Sequence, residues 1–156
     1  MDNIDEEKKR LFLKRIDDDI EKYGYHVTYV MEKKDFTPFG YSTGLYKNFG
    51  IPEVFVSGLP NGLTNTLITN YAEIFKDKSI PFNEKLDNLI DRFLVYLIPV
   101  ETSLIEEKVL ASLRLYDGIG FDSVQVIYPD LNGLFPGEVG YDYDMEIFGE
   151  IKEKNA

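Results

Sequence analysis

The arrangement in this sequence with the most chemical scope is a carboxylate directly after a proline. Glu53 follows Pro52 inside Phe39–Leu59, a stretch dense in glycines and aromatics, and Tyr41, Ser42 and Thr43 stand before it as hydroxyl donors. A carboxylate with such neighbours can hold a polar ligand, or work as a general base. The same residues also have a plainer use, in which the glycines serve turns and bulges, the tyrosine packs and Glu53 caps a backbone amide.

Other candidates are fewer. His26 is the single histidine and there is no cysteine, which removes the usual structural zinc sites and any disulfide framework. His26 is a candidate base or a hydrogen-bonded packing residue. No serine sits in Gly-x-Ser-x-Gly, and no glycine-rich loop ends in Gly-Lys-Ser/Thr. Asp130-Leu131-Asn132-Gly133 with Glu138 offers carboxylates for a hard cation. Its glycine comes fourth and its glutamate ninth, whereas a calcium loop wants the sixth and twelfth positions, so the stretch reads as a tight turn. Asp17-Asp18-Asp19 lies in a helical pattern, where consecutive side chains point about 100° apart and cannot converge on one ion. Gly118-Ile119-Gly120 follows a helix rather than a strand and reads as a helix stop.

The elements that must position these groups follow from periodicity. Residues 3–23 form an amphipathic helix, with Phe12, Leu13, Ile16, Ile20 and Tyr23 inward and Gly24 as its stop. Tyr25–Lys33 alternates as a strand, Asp35–Pro38 turns, Gly40–Tyr46 is a strand interrupted by Gly44, and Lys47–Gly50 turns again. Pro52 opens a third strand over Glu53–Leu59, since proline at a strand's first residue costs no ladder bond. A helix covers Leu63–Phe75, and residues 83–92 hold a helical turn with Leu86, Leu89 and Ile90 inward. Phe93–Val100 is apolar enough for a strand covered on both faces. Ser103 and Glu106 have the spacing of a capping box, opening a helix that buries Leu104, Val109, Leu110, Leu113 and Tyr116 and stops at Gly118. Val124–Tyr128 is the last strand. The expected class is α+β, one domain over 1–138 with a mainly antiparallel sheet of about five strands and three helices. Residues 139–156 read as an acidic peripheral tail, partly ordered at best.

Composition narrows the function. The chain has 156 residues, 44% hydrophobic and 29% charged, with a net charge of −11. That charge disfavours nucleic acid and anionic membranes, both of which need clustered Lys and Arg, and steers the chain towards basic partners. No apolar run reaches the eighteen or so residues of a membrane span. The first residues lack the basic-then-apolar pattern of a secretion signal, and the expected location is cytoplasmic.

Five motifs, taken in order, resemble a known family. They are Gly24-Tyr25-His26-Val27; Phe39-Gly40-Tyr41-Ser42-Thr43-Gly44-Leu45; Pro52-Glu53; Gly58-Leu59; and Gln125 with Pro129-Asp130, Gly133 and Phe135-Pro136. The pattern looks like the bacterial domain of unknown function 4262 and covers residues 15–141. Members typically carry Trp where this chain has Tyr25, Thr at Ser42, His at Ile51 and Trp at Gly137. The missing histidine removes a His–Glu pair beside Pro52. The resemblance implies site positions and no reaction.

Two functions are open on this sequence. The leading one is a non-enzymatic acidic binding protein that recognises a partner protein, in the manner of an immunity or inhibitor protein; the residues lean against catalysis. The other is a small-molecule or nucleotide-binding domain, with a pocket around Tyr41, Thr43, Glu53 and Asp130 and a carboxylate available for chemistry. Candidate ligand-contacting residues are Tyr41, Ser42, Thr43, Glu53, Asp130 and His26, with no metal and no cofactor expected.

Overall fold

Val54 and Val56 point to one side of their strand and Phe55 to the other, and all three are buried. That pattern requires a sheet covered on both faces. The computed structural model, which describes residues 3–31 and 37–151, shows such a sheet. Its strands are β1 (His26–Val30), β2 (Phe39–Thr43), β3 (Glu53–Ser57), β4 (Tyr96–Val100) and β5 (Ser123–Ile127). They lie in the order β1-β2-β3-β5-β4. Three of the four pairings are antiparallel, and β3 runs parallel to β5 with Glu53 beside Ser123. The domain is therefore α+β with a mostly antiparallel sheet.

One face carries α3 (Asn61–Phe75), whose Leu67, Ile68, Tyr71 and Phe75 pack on Val54, Val56, Leu97, Val124 and Val126. The other carries α1 (Asn3–Tyr23) and α4 (Leu110–Tyr116), where Ile16, Ala111 and, just before α4, Val109 pack on Tyr41, Phe55, Ile98 and Ile127. Of the expected inward stripe of α1, Ile16 is buried and Leu13 and Ile20 pack partly, while Phe12 and Tyr23 are exposed. Gly24 ends that helix with φ 93 and its N–H on the Ile20 carbonyl, the left-handed stop expected of it.

Four expectations are corrected. The strand expected over Gly40–Tyr46 stops at Thr43, and residues 45–49 form a fourth helix, α2 (Leu45–Phe49). The turn expected over 47–50 is the end of that helix, closed by Gly50 at φ 69. Residues 83–92 are not helical. Phe82 and Leu86 bridge to Leu97 and Val95 at the edge of β4, which takes the backbone bonds a helical turn would have used. Leu89 and Ile90 are nonetheless buried as expected.

The capping box at Ser103 and Glu106 does not form. Thr102–Ile105 is a 3₁₀ turn, α4 starts only at Leu110, and neither start has a side-chain cap. Tertiary anchors decide this. The Thr102 hydroxyl donates to the Phe121 carbonyl at 2.6 Å and therefore accepts from Ser123 Oγ, 2.7 Å away. Ile105 and Val109 are then the residues turned inward, at 2% and 3% exposure, against 56% for Leu104 and 63% for Leu110. The strand end at Lys33 and the turn residues Asp35 and Phe36 lie outside the described residues, as do 152–156 of the expected tail.

Candidate functional site

Glu53 opens β3 at 3% exposure, and its two oxygens accept five hydrogen bonds. Ser42 Oγ (2.7 Å) and the Leu45 N–H (3.2 Å) donate to Oε1. The Gly44 N–H (2.8 Å), the Tyr46 N–H (3.2 Å) and the Tyr116 phenol (2.5 Å) donate to Oε2. Three of these donors are the orphan amides at the start of α2, so the carboxylate serves as a helix cap reached from eight or so residues downstream. The N–H of Val54 donates to Ser42 Oγ and that of Lys47 to the Tyr116 oxygen. Both hydroxyls therefore accept an amide hydrogen and turn their own hydrogens to Glu53.

Local backbone geometry brings these donors together. Gly44 precedes α2 with φ 114, and a Cβ there would meet the Gly24 carbonyl oxygen at 2.6 Å, so only glycine fits. With the chain turned at Gly44, three successive amides face the strand that follows. Burial and the Glu53 charge push the Tyr116 phenol far above the usual tyrosine range, and Tyr71 likewise.

Tyr41, Ser42 and Thr43 surround this cap, all buried. Tyr41 Oη accepts from the Ala111 N–H at 3.1 Å. Ser112 Oγ donates to the Ser42 carbonyl at 3.0 Å, so the Thr43 hydroxyl, 2.7 Å away, donates to Ser112. Of the four residues, Ser42 and Glu53 bond each other, while the Tyr41 and Thr43 hydroxyls turn to α4.

His26 is set beside Thr43 by the β1–β2 register. Its Nδ1 lies 2.6 Å from Asp19 Oδ2, and the Phe12 ring meets it edge-on at 6.5 Å. The Asp17–Asp19 triplet diverges: Asp17 binds Arg114, Asp18 binds Lys14 and Asp19 faces His26. Asp130 sits apart. It lies seven positions after Ser123, the β5 partner of Glu53, roughly 20 Å at about 3.3 Å per residue. Asp130 Oδ1 accepts from the amides of Asn132 and Leu134, and Oδ2 from that of Asp142. Burial pushes its acid strength down, but those backbone donors outweigh it and hold its pKa below the ordinary aspartate value. Glu138 likewise accepts from the Phe135 amide at 2.9 Å.

Beside the Glu53 cap lies an open groove of about 1830 Å³. Its walls are the end of α2 with Phe49 and Gly50, the loop 77–83, the end of β4 with Glu101 and Thr102, the start of β5 with Asp122, and Phe148–Glu150. Pro52 lines it, and the Glu53 N–H donates to the Asp122 carbonyl at 2.9 Å. Thus Glu53 ties two of the groove's walls to β3, α2 through its carboxylate and the start of β5 through its main chain. The charged lining residues are Asp77, Glu101, Asp122 and Glu150 against Lys78.

The profile of a family described as Domain of unknown function (DUF4262) matches residues 19–142. The chain belongs to the DUF4262 family. No curated protein and no solved structure matches it. In this DUF4262 chain the matched span takes in Asp19, His26, the whole Glu53 cap and Asp130, and leaves out most of α1 and everything after Asp142.

Sequence reasoning missed Tyr116 and Ser112 as members of the DUF4262 chain's cap. Tyr116 lies 63 residues from Glu53, and its spacing predicts only a place in a buried helical stripe. A phenol at the end of a helix, three residues before Ile119 and a loop, carries no local mark of its partner. The groove was missed as well, because its walls come from five separate parts of the chain.

Proposed function

We propose that this DUF4262 chain is a non-enzymatic binding protein that recognises a basic partner protein, with the acidic groove as its contact surface. The observation that carries the reading is the groove's lining. Among the described residues, four carboxylates line it against one ammonium, with apolar side chains that include Ile80, Phe82, Leu104, Ile119 and Phe148. An apolar lining with a mainly acidic set of charges suits a protein segment bearing Lys and Arg around an aliphatic anchor. Its volume exceeds the roughly 300–1,000 Å³ of a small-molecule pocket.

The hydrogen bonding of Glu53 supports the same reading. A general base needs a free lone pair aimed at substrate, and both Glu53 oxygens are taken up by five internal donors. The net charge of −11 adds long-range attraction for a cationic surface. The test is co-purification from the native host followed by a salt series. The bound protein should carry a basic face and lose at least about tenfold in affinity as salt screens the contact. Failure to retain any partner, or retention indifferent to salt, contradicts the reading.

A further inference from the structure

Two polar side chains, Gln125 and Ser57, are buried on the sheet face that carries Phe55 and Ile127, and both are turned to the main chain of a later segment. Gln125, at 0% exposure, donates from Nε2 to the Glu146 carbonyl at 2.6 Å and accepts at Oε1 from the Phe148 amide at 3.0 Å. Ser57, at 1% exposure, accepts at Oγ from the Glu146 amide at 3.0 Å. Upstream, Asp130 accepts from the Asp142 amide. A primary amide that pairs with a C=O and an N–H two residues apart reads extended backbone, whatever its side chains.

Segment 141–151 forms no helix or strand. Its side chains add two seats. Phe148 meets Phe55 edge-on at 5.6 Å, and the Lys108 ammonium lies 5.1 Å above Phe39 and 5.8 Å from the Phe148 ring. Lys108 Nζ is also 3.8 Å from Glu146 Oε1. The acceptor side is made by β3, β5 and Lys108, all inside the matched family span, whereas residues 143–151 lie outside it.

We propose that the sheet face formed by Ser57, Gln125 and Phe55 is a binding site for an extended peptide, filled in this chain by its own residues 144–148. The ligand class follows from the seats: extended main chain, an acidic residue opposite Lys108 and an aromatic residue two positions on against Phe55. The site does not depend on a partner in the groove. The two are linked all the same, because Phe148, Gly149 and Glu150 also line that groove. A peptide that exchanges with residues 144–148 would remove the wall they make.

The test adds a fluorescent peptide of residues 141–151 to the full chain and reads anisotropy. The wild-type protein, with its site filled, should bind it weakly. Phe148→Ala in the protein weakens the resident segment while leaving the acceptor face whole, and should tighten peptide binding at least about tenfold, since apparent affinity rises with the fraction of open site. Adding Gln125→Leu to that variant should abolish the gain, and a peptide with alanine in place of Phe148 should bind at least about tenfold more weakly. A Phe148→Ala protein with native circular dichroism and no peptide binding overturns the proposal. If that variant does not fold, amide exchange in the wild type decides. Glu146 and Phe148 amides should exchange at least about tenfold faster than those of Val124 and Val126, and equal protection overturns it.

Discussion

The Tyr116 phenol donates to the Glu53 carboxylate at 2.5 Å across 63 residues of sequence. That bond ties the last residue of α4 to the first of β3, while the same carboxylate holds the amides that begin α2. One buried carboxylate thus fixes two helices against the start of the central strand, beside the groove.

Glu53→Ala should cost about 3–5 kcal/mol, because it strands five donors in a buried site. Tyr116→Phe removes one of them and should cost about 1–2 kcal/mol. Both are read as shifts in a urea melt. If Glu53→Ala melts like the wild type, the cap is not what holds α2.

The alkaline limb of stability should be set by tyrosine. Burial raises Tyr25, Tyr41, Tyr71, Tyr116, Tyr128 and Tyr141, and the Glu53 charge adds to this at Tyr71 and Tyr116. Folded values above the unfolded value of about 10 favour the fold fully below that pH, and the benefit is lost as pH rises through it towards the folded values. Absorbance at 295 nm should therefore show these six ionising only together with unfolding. Ionisation of all eleven tyrosines near pH 10 with the fold intact would contradict the burial.

Ser103→Ala tests the corrected helix start. A working capping box would lose about 1 kcal/mol. Here Ser103 caps neither the 3₁₀ turn nor α4, and the expected loss is within about 0.5 kcal/mol. A loss of the full amount would restore the helix that the spacing suggests.

The features legible in the sequence were those with local causes. The alternation of β1 and β5, the proline that opens β3, the stripe of α3 and the stop at Gly24 each follow from neighbours in the chain, as does the tight turn at Asn132-Gly133. Long-range partners overrode the rest. A five-residue helix has too few internal bonds to persist by propensity, so α2 exists because Glu53 meets its first amides, and nothing in Leu45–Phe49 announces that. Likewise Thr102 binds Phe121 and Ser123, which rotates Ile105 and Val109 inward and defeats the Ser103–Glu106 spacing. The candidate cluster Tyr41, Ser42, Thr43 and Glu53 was readable as a unit because its motifs adjoin. Asp130 was not separable from it in sequence, and the parallel β3–β5 pairing places it at the far end.

The groove reading is tested most directly by charge reversal on the purified complex. Glu101 and Asp122 are exposed on the groove rim, and Glu21 is exposed on α1. Titration of the basic partner should show the double variant Glu101→Lys/Asp122→Lys weakened at least about tenfold, or about 1.4 kcal/mol, with Glu21→Lys within about twofold. Equal weakening by both variants, or none by either, would contradict the groove as the contact surface.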